Sequence, residues 1–386
     1  MSKKLLCGVV YVAVVLAMGL SGAWAAETIA RPEVKQPARC DGKPADMTKP
    51  VEVFIMMGQS NMVGFGAVGP EGTPGTLETL VKKESKHPFL VDDAGKWLPR
   101  SDVRCVFMLA GKGMQRNDWL QPGLGARSGN FGPELGFGHV IGQALNDPVL
   151  LIKACCGNRS LGWDYLPPGS ERYEFVRKEK DGDKTYIGAG YKDRPDSWEM
   201  DKAKGKATEP PPWIDKKTGK VIDWYAGKQY DDDVASAKTV LADIGKYYPG
   251  ATKYEIAGFV WWQGHKDQNP QHAARYEANL VNLIKALRKD FNAPNAPFLL
   301  ATGCGNPGTE SYGLQIAEAQ LAMNDAKKHP EFAGNVKCVD SRGFWPNPDE
   351  SPSKQGYHYY WNAGTYMDVG LSLGWAMAEM LKNKKD

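Results

Sequence analysis

Short apolar runs alternate with longer amphipathic ones along most of the chain. Val51–Met57, Arg104–Ala110, Pro148–Cys155, Glu255–Trp262, Pro297–Thr302 and Asn335–Asp340 are rich in β-branched or aromatic residues and are bounded by Gly, Pro, Asn or Asp. Runs of that length and flanking chemistry predict buried strands. Between and after them, apolar residues return at helical spacing. Val234, Leu241, Ile244 and Tyr248 form one stripe, opened by Asp231-Asp232-Asp233 and closed by Pro249. Tyr276, Leu280, Ile284, Leu287 and Phe291 form a second, and Tyr366, Leu373, Met377 and Leu381 a third. These stripes are core-facing helix surfaces. Strand–helix alternation predicts an α/β fold, a three-layer α/β/α sandwich around a central, mainly parallel sheet.

Two stretches depart from the alternation. Residues 26–50 are polar, with four prolines, and are expected to form an N-terminal arm over a domain spanning 51–384. Residues 167–225 are dense in Lys, Asp, Glu, Gly and Pro, and no helical or strand period persists in them. They are expected to be a long polar insertion, a solvated excursion or a wall of the binding site.

The first residues bear on the compartment. Lys3 and Lys4 precede an apolar stretch from Leu5 to Leu20, and Ala23-Trp24-Ala25 places small residues at both key positions of a cleavage site. This is the pattern of a signal peptide covering 1–25 and cut after Ala25, giving a secreted or periplasmic protein with no stable membrane insertion once the leader is gone. Cys7 leaves with it. Cys40, Cys105, Cys155, Cys156, Cys304 and Cys338 remain, without C-x-x-C spacing, so a structural zinc site is not expected and any disulfide pairing stays open.

Composition narrows the function classes further. Hydrophobic residues make up 42% and charged residues 24%, and the chain carries 12 Trp, 16 Tyr and 12 Phe, which excludes a disordered protein. The net charge of +3 over 386 residues provides no basic field for nucleic acid.

The candidate chemistry begins where the first strand ends. Val51–Met57 runs into Gly58-Gln59-Ser60-Asn61-Met62, so a serine follows a strand-terminating glycine at the turn toward a helix. In a parallel sheet that position faces the crevice where ligands bind, and a serine there presents a hydroxyl while its own N–H can stabilise an oxyanion. An N-cap serine would also sit there.

Five ordered blocks decide between these readings. Phe54–Met62, Asn130-Phe131-Gly132-Pro133-Glu134-Leu135-Gly136, Leu151–Leu161 with Gly157, Val260-Trp261-Trp262-Gln263-Gly264 and Gly356-Tyr357-His358 resemble the motifs of the SGNH/GDSL hydrolases, in the sialate O-acetylesterase and acetylxylan esterase branch, carbohydrate esterase family six. The resemblance implies Ser60 as nucleophile, His358 as general base, and an oxyanion hole built from the N–H groups of Ser60 and Gly157 and the amide of Gln263. It implies an acetylated carbohydrate as substrate and neither cofactor nor metal. Two departures stand out. The family's Asp three residues before the histidine is Gln355 here, and the Glu of its Q-G-E-x-D run is His265. Glutamine orients an imidazole but cannot stabilise its charged form. Asp340, at the end of the last strand, is the first substitute; Glu350, Asp349 and a dyad using a backbone carbonyl are alternatives, and Asp340 could instead pair with Arg342. His265 and Asp267 lack a third ligand for a metal. The abundant Trp163, Tyr165, Trp262, Tyr359, Tyr360 and Trp361 would suit stacking on sugars or ordinary core packing. A glycan-binding pseudoenzyme and an SGNH lipase or thioesterase are the rival functions.

Overall fold

The computed structural model describes residues 29–200, 209–303 and 312–383. The expected leader, its cleavage site and Cys304 lie outside the described residues. Twelve strands occur among them: β1 Val51–Gly58, β2 Gly66–Ala67, β3 Arg100–Leu109, β4 Gly113–Leu120, β5 Asn130–Phe131, β6 Val149–Ala154, β7 Tyr173–Glu179, β8 Gly182–Gly188, β9 Ser197–Glu199, β10 Tyr254–Trp262, β11 Phe298–Ala301 and β12 Val336–Val339. Seven form the central sheet in the order β12-β11-β10-β1-β6-β3-β4, parallel except for the antiparallel edge strand β4.

Alternation along β1 explains the layers. Val51, Val53, Ile55 and Met57 share one apolar cluster with helices Lys228–Ala242 and Tyr276–Asp290, while Phe54 and Met56 join the cluster of helices Glu134–Leu145 and Ala363–Asn383. A strand buried on both faces reads as a continuous apolar run, and that is how β1 appears in the sequence. Helices 134–145 and 363–383 cross closely: a Cβ at Gly136 would lie 2.7 Å from the Leu371 nitrogen, and one at Gly370 would lie 2.4 Å from the Pro133 carbonyl. Glycine is required at that crossing. The observed architecture is the expected α/β sandwich with a mostly parallel sheet.

The insertion differs from expectation. Residues 173–199 form a three-stranded antiparallel sheet, β7-β8-β9, seated on its own small apolar cluster of Trp163, Leu166, Ile187, Ala189, Trp198 and Ala226. Charged residues occupy both faces of β7, which hid its period-2 pattern. Among the described cysteines, Cys40, Cys105, Cys155 and Cys156 are free thiols. Among the described residues no helix is long and apolar enough to cross a membrane.

Candidate active site

Register places the blocks together. Gly58 at the end of β1 pairs with Trp262 at the end of β10, and Met56 pairs with Lys153 of β6 on the other side. Gly58 holds φ +142, and a Cβ on it would lie 2.3 Å from the Trp262 carbonyl, so only glycine lets the chain turn there beside β10. Ser60 then opens a one-turn helix, Ser60–Val63, and stays half-buried at the carboxyl edge of the sheet.

A buried ion pair anchors that turn from beneath. The Lys153 ammonium, fully enclosed, donates to the Val63 carbonyl at 2.8 Å, the Leu124 carbonyl at 3.1 Å and Glu134 Oε2 at 2.9 Å. Glu134 Oε1 accepts the Gly132 N–H at 2.8 Å. The glutamate of the second sequence block therefore neutralises a lysine rather than meeting substrate.

Ser60, Gly157 and His358 line one cavity of about 400 Å³, together with Gln59, Asn61, Phe65, Asn158, His265, Lys266, Trp345, Tyr357 and Tyr359. A Cβ built on Gly157 would stand 3.6 Å from Ser60 Cβ, so the two backbones are neighbours. His358 arrives on a turn, His358–Trp361, in which all four residues have positive φ between 49° and 63°. Left-handed backbone costs an L-residue about 1–2 kcal/mol, and packing offsets it here. Tyr359 stacks near Trp262 at 5.5 Å, and the His358 ring lies parallel to Phe65 with centroids 4.0 Å apart. Burial, and then the neighbouring His265, push the His358 imidazole down to about 4. Burial also lowers His265.

Two expected roles are not met. Asp340 does not reach the imidazole: its carboxylate takes Arg342 Nε at 2.9 Å and Nη2 at 2.6 Å, with the Thr302 hydroxyl at 3.4 Å. Burial works against its ionisation, yet the hydrogen bonds and charge of Arg342 hold its carboxyl below the ordinary value. His358 Nδ1 is buried with no hydrogen-bond partner among the described residues, and no carboxylate is among the cavity's lining residues. Gln263 is likewise displaced from its expected oxyanion role. It is fully buried behind the cavity, and both amide protons are committed, to the Arg159 carbonyl at 2.8 Å and to Asp267 Oδ2 at 2.5 Å.

Other candidates sort by burial. Trp163, Tyr165 and Trp262 are core residues, whereas Tyr359, Tyr357 of the fifth block, and Phe65 and Trp345, unmarked by any motif, supply aromatic surface to the cavity. His272 lies between Asp196 and Asp267, at 3.3 and 3.5 Å, and His329 bonds Glu277 at 3.0 Å. No cluster of metal-ligating side chains occurs among the described residues.

A family model for carbohydrate esterases, described as sialic acid-specific acetylesterases, matches residues 216–370. A probable carbohydrate esterase from Arabidopsis thaliana is 36% identical over 93 residues, a stretch covering 23% of this chain and 30% of that relative. The match thus spans under a third of the relative's length. A solved Arabidopsis thaliana structure covers 86% of this chain and 99% of its own at 18% identity, with a TM-score of 0.47. A carbohydrate acetylesterase from Xanthomonas citri covers 86% and 56% at 12% identity and TM-score 0.47, and NanS covers 91% and 99% at 15% and 0.42. Over these parts of its length the chain is similar to carbohydrate esterases of the sialic acid-specific acetylesterase kind.

Proposed function

We propose that the protein is an exported O-acetylesterase that removes acetyl groups from sugars through an acyl-enzyme. The observation that carries the reading is the meeting of Ser60, Gly157 and His358 around one cavity at the carboxyl edge of the sheet. Because Nδ1 of His358 is enclosed, Nε2 is the nitrogen left to serve Ser60. Ser60 Oγ attacks the ester carbonyl and passes its proton to Nε2. The N–H groups of Ser60 and Gly157 hold the oxyanion, and the sugar alkoxide departs with the proton. Water then attacks acetyl-Ser60, again losing its proton to Nε2, and acetate leaves as the serine is reprotonated.

The charge around the serine bears on the substrate. Lys266 faces the cavity without a carboxylate among its lining residues, a setting suited to a sugar that carries its own carboxylate, such as an O-acetylated sialic acid. Acetate release measured on acetylated sialic acid, acetylated xylan fragments and p-nitrophenyl acetate tests this. Preference for the neutral xylan fragments would overturn the substrate assignment, and preference for long acyl esters would favour a lipase. The unpartnered His358 Nδ1 favours a second reading, a glycan-binding pseudoenzyme. Absence of turnover on every ester, with glycan binding retained, would establish that one. Export is tested by the mass of the mature chain, which should begin at Ala26.

A further inference from the structure

We infer that Gln263 and Asp267 are positioning residues that clamp the loop 157–162, and with it the Gly157 N–H, against Ser60. The role rests on the esterase reading above. The loop leaves β6 without regular secondary structure, so nothing within it directs the Gly157 N–H toward the serine. Asp164, two residues beyond it, accepts the Ser160 N–H at 2.8 Å, and its other fixed points come from the segment after β10. Asp267, wholly buried, accepts the Leu161 N–H at 2.9 Å and the Gly162 N–H at 2.7 Å. Gln263 Nε2 bridges the same carboxylate to the Arg159 carbonyl, so three residues of the loop, Arg159, Leu161 and Gly162, are held by two side chains.

The clamp is itself immobilised. Gln263 Oε1 accepts the Tyr276 hydroxyl at 2.9 Å, and the Gln263 carbonyl accepts Gln320 Nε2 at 2.6 Å. Behind Asp267 stands His272, whose ring fills the space a side chain at Gly162 would need: a Cβ there would lie 2.5 Å from the imidazole. For Gln263 to donate to an oxyanion instead, it would have to abandon either the Arg159 carbonyl or a buried carboxylate, leaving a buried polar group without its hydrogen bond. Motion of the loop by roughly 1 Å would remove the Gly157 donor from the transition state, and a misplacement of that size can cost about 100-fold in rate.

The test uses the full chain carrying Gln263→Met, Asp267→Asn and both, with p-nitrophenyl acetate turnover and hydrogen exchange of peptides covering 157–163. Each single variant should lower kcat by about 100-fold with KM little changed, and the pair should be no worse than either, as for groups acting as a unit. Exchange at Leu161 and Gly162 should accelerate in Gln263→Met. The inference is overturned if Gln263→Met loses roughly 100- to 1000-fold while Asp267→Asn stays within about threefold, the pattern of a direct oxyanion donor. Should Asp267→Asn fail to fold, unchanged exchange at 161–162 in Gln263→Met overturns it alone. That measurement needs no turnover, so it separates failure of the clamp from failure of the esterase reading.

Discussion

The acid limb of the pH–rate profile should lie unusually low. An ordinary histidine titrates near 6.5, whereas burial and the charge of His265 hold His358 at about 4. The sign follows from the base needing to be neutral: activity is retained above the folded-state value and lost as pH falls through it. At pH 5 a ring titrating at 4 is roughly nine-tenths neutral, while one at 6.5 would be only about 3% neutral. Relative kcat/KM at pH 5 therefore differs about 30-fold between the two cases. The assay is a stopped measurement of acetate release between pH 3.5 and 8, taken as kcat/KM because that quantity reports the free enzyme. A limb centred at or above 6.5 would refute the reasoning, since it would mean that a carboxylate or water reaches Nδ1. Gln355→Asp extends the test. A carboxylate set within about 4–6 Å of the ring raises an imidazole by roughly 1–3 units, so the limb should move upward by that amount. An unmoved limb would show that position 355 does not face the ring.

Ser60→Ala and His358→Ala should each abolish acetyl-ester turnover with the melting temperature preserved, and the double variant should be no worse; retained activity in Ser60→Ala would disprove the nucleophile. Lys153→Met should destabilise by about 3–5 kcal/mol in urea unfolding, because Glu134 is left as a buried carboxylate without its partner; a loss below about 1 kcal/mol would contradict the buried pair. His87, buried and held at about 4, binds its proton more readily in the unfolded chain. Its contribution of about 3 kcal/mol should be present above pH 6.5 and lost as pH falls toward 4, and His87→Asn, which tolerates the local φ of 53°, should lose less stability on acidification than the parent. Equal losses would dismiss that role.

What the sequence determined by itself is everything whose cause is local. The five inner strands are apolar runs because both faces are covered, and the helical stripes follow from a 3.6-residue period against the same core. Ser60, Gly157 and His358 were legible because each sits in a short motif at a strand end or preceding a helix. The edge strand β4 escaped notice because only Leu120 of it is buried and its middle, Gln115-Arg116-Asn117-Asp118, is polar, and β7 of the insertion because charge lies on both of its faces. Tertiary structure decided who partners whom. Asp340 closes a strand toward the crevice, yet a guanidinium two residues away claims it before an imidazole can. Gln263 follows a buried strand beside the serine, but a carbonyl 104 residues earlier in the chain accepts its amide hydrogen bond. A buried hydrogen-bonding group goes to whichever partner the fold brings within about 3 Å, and sequence order does not encode that distance.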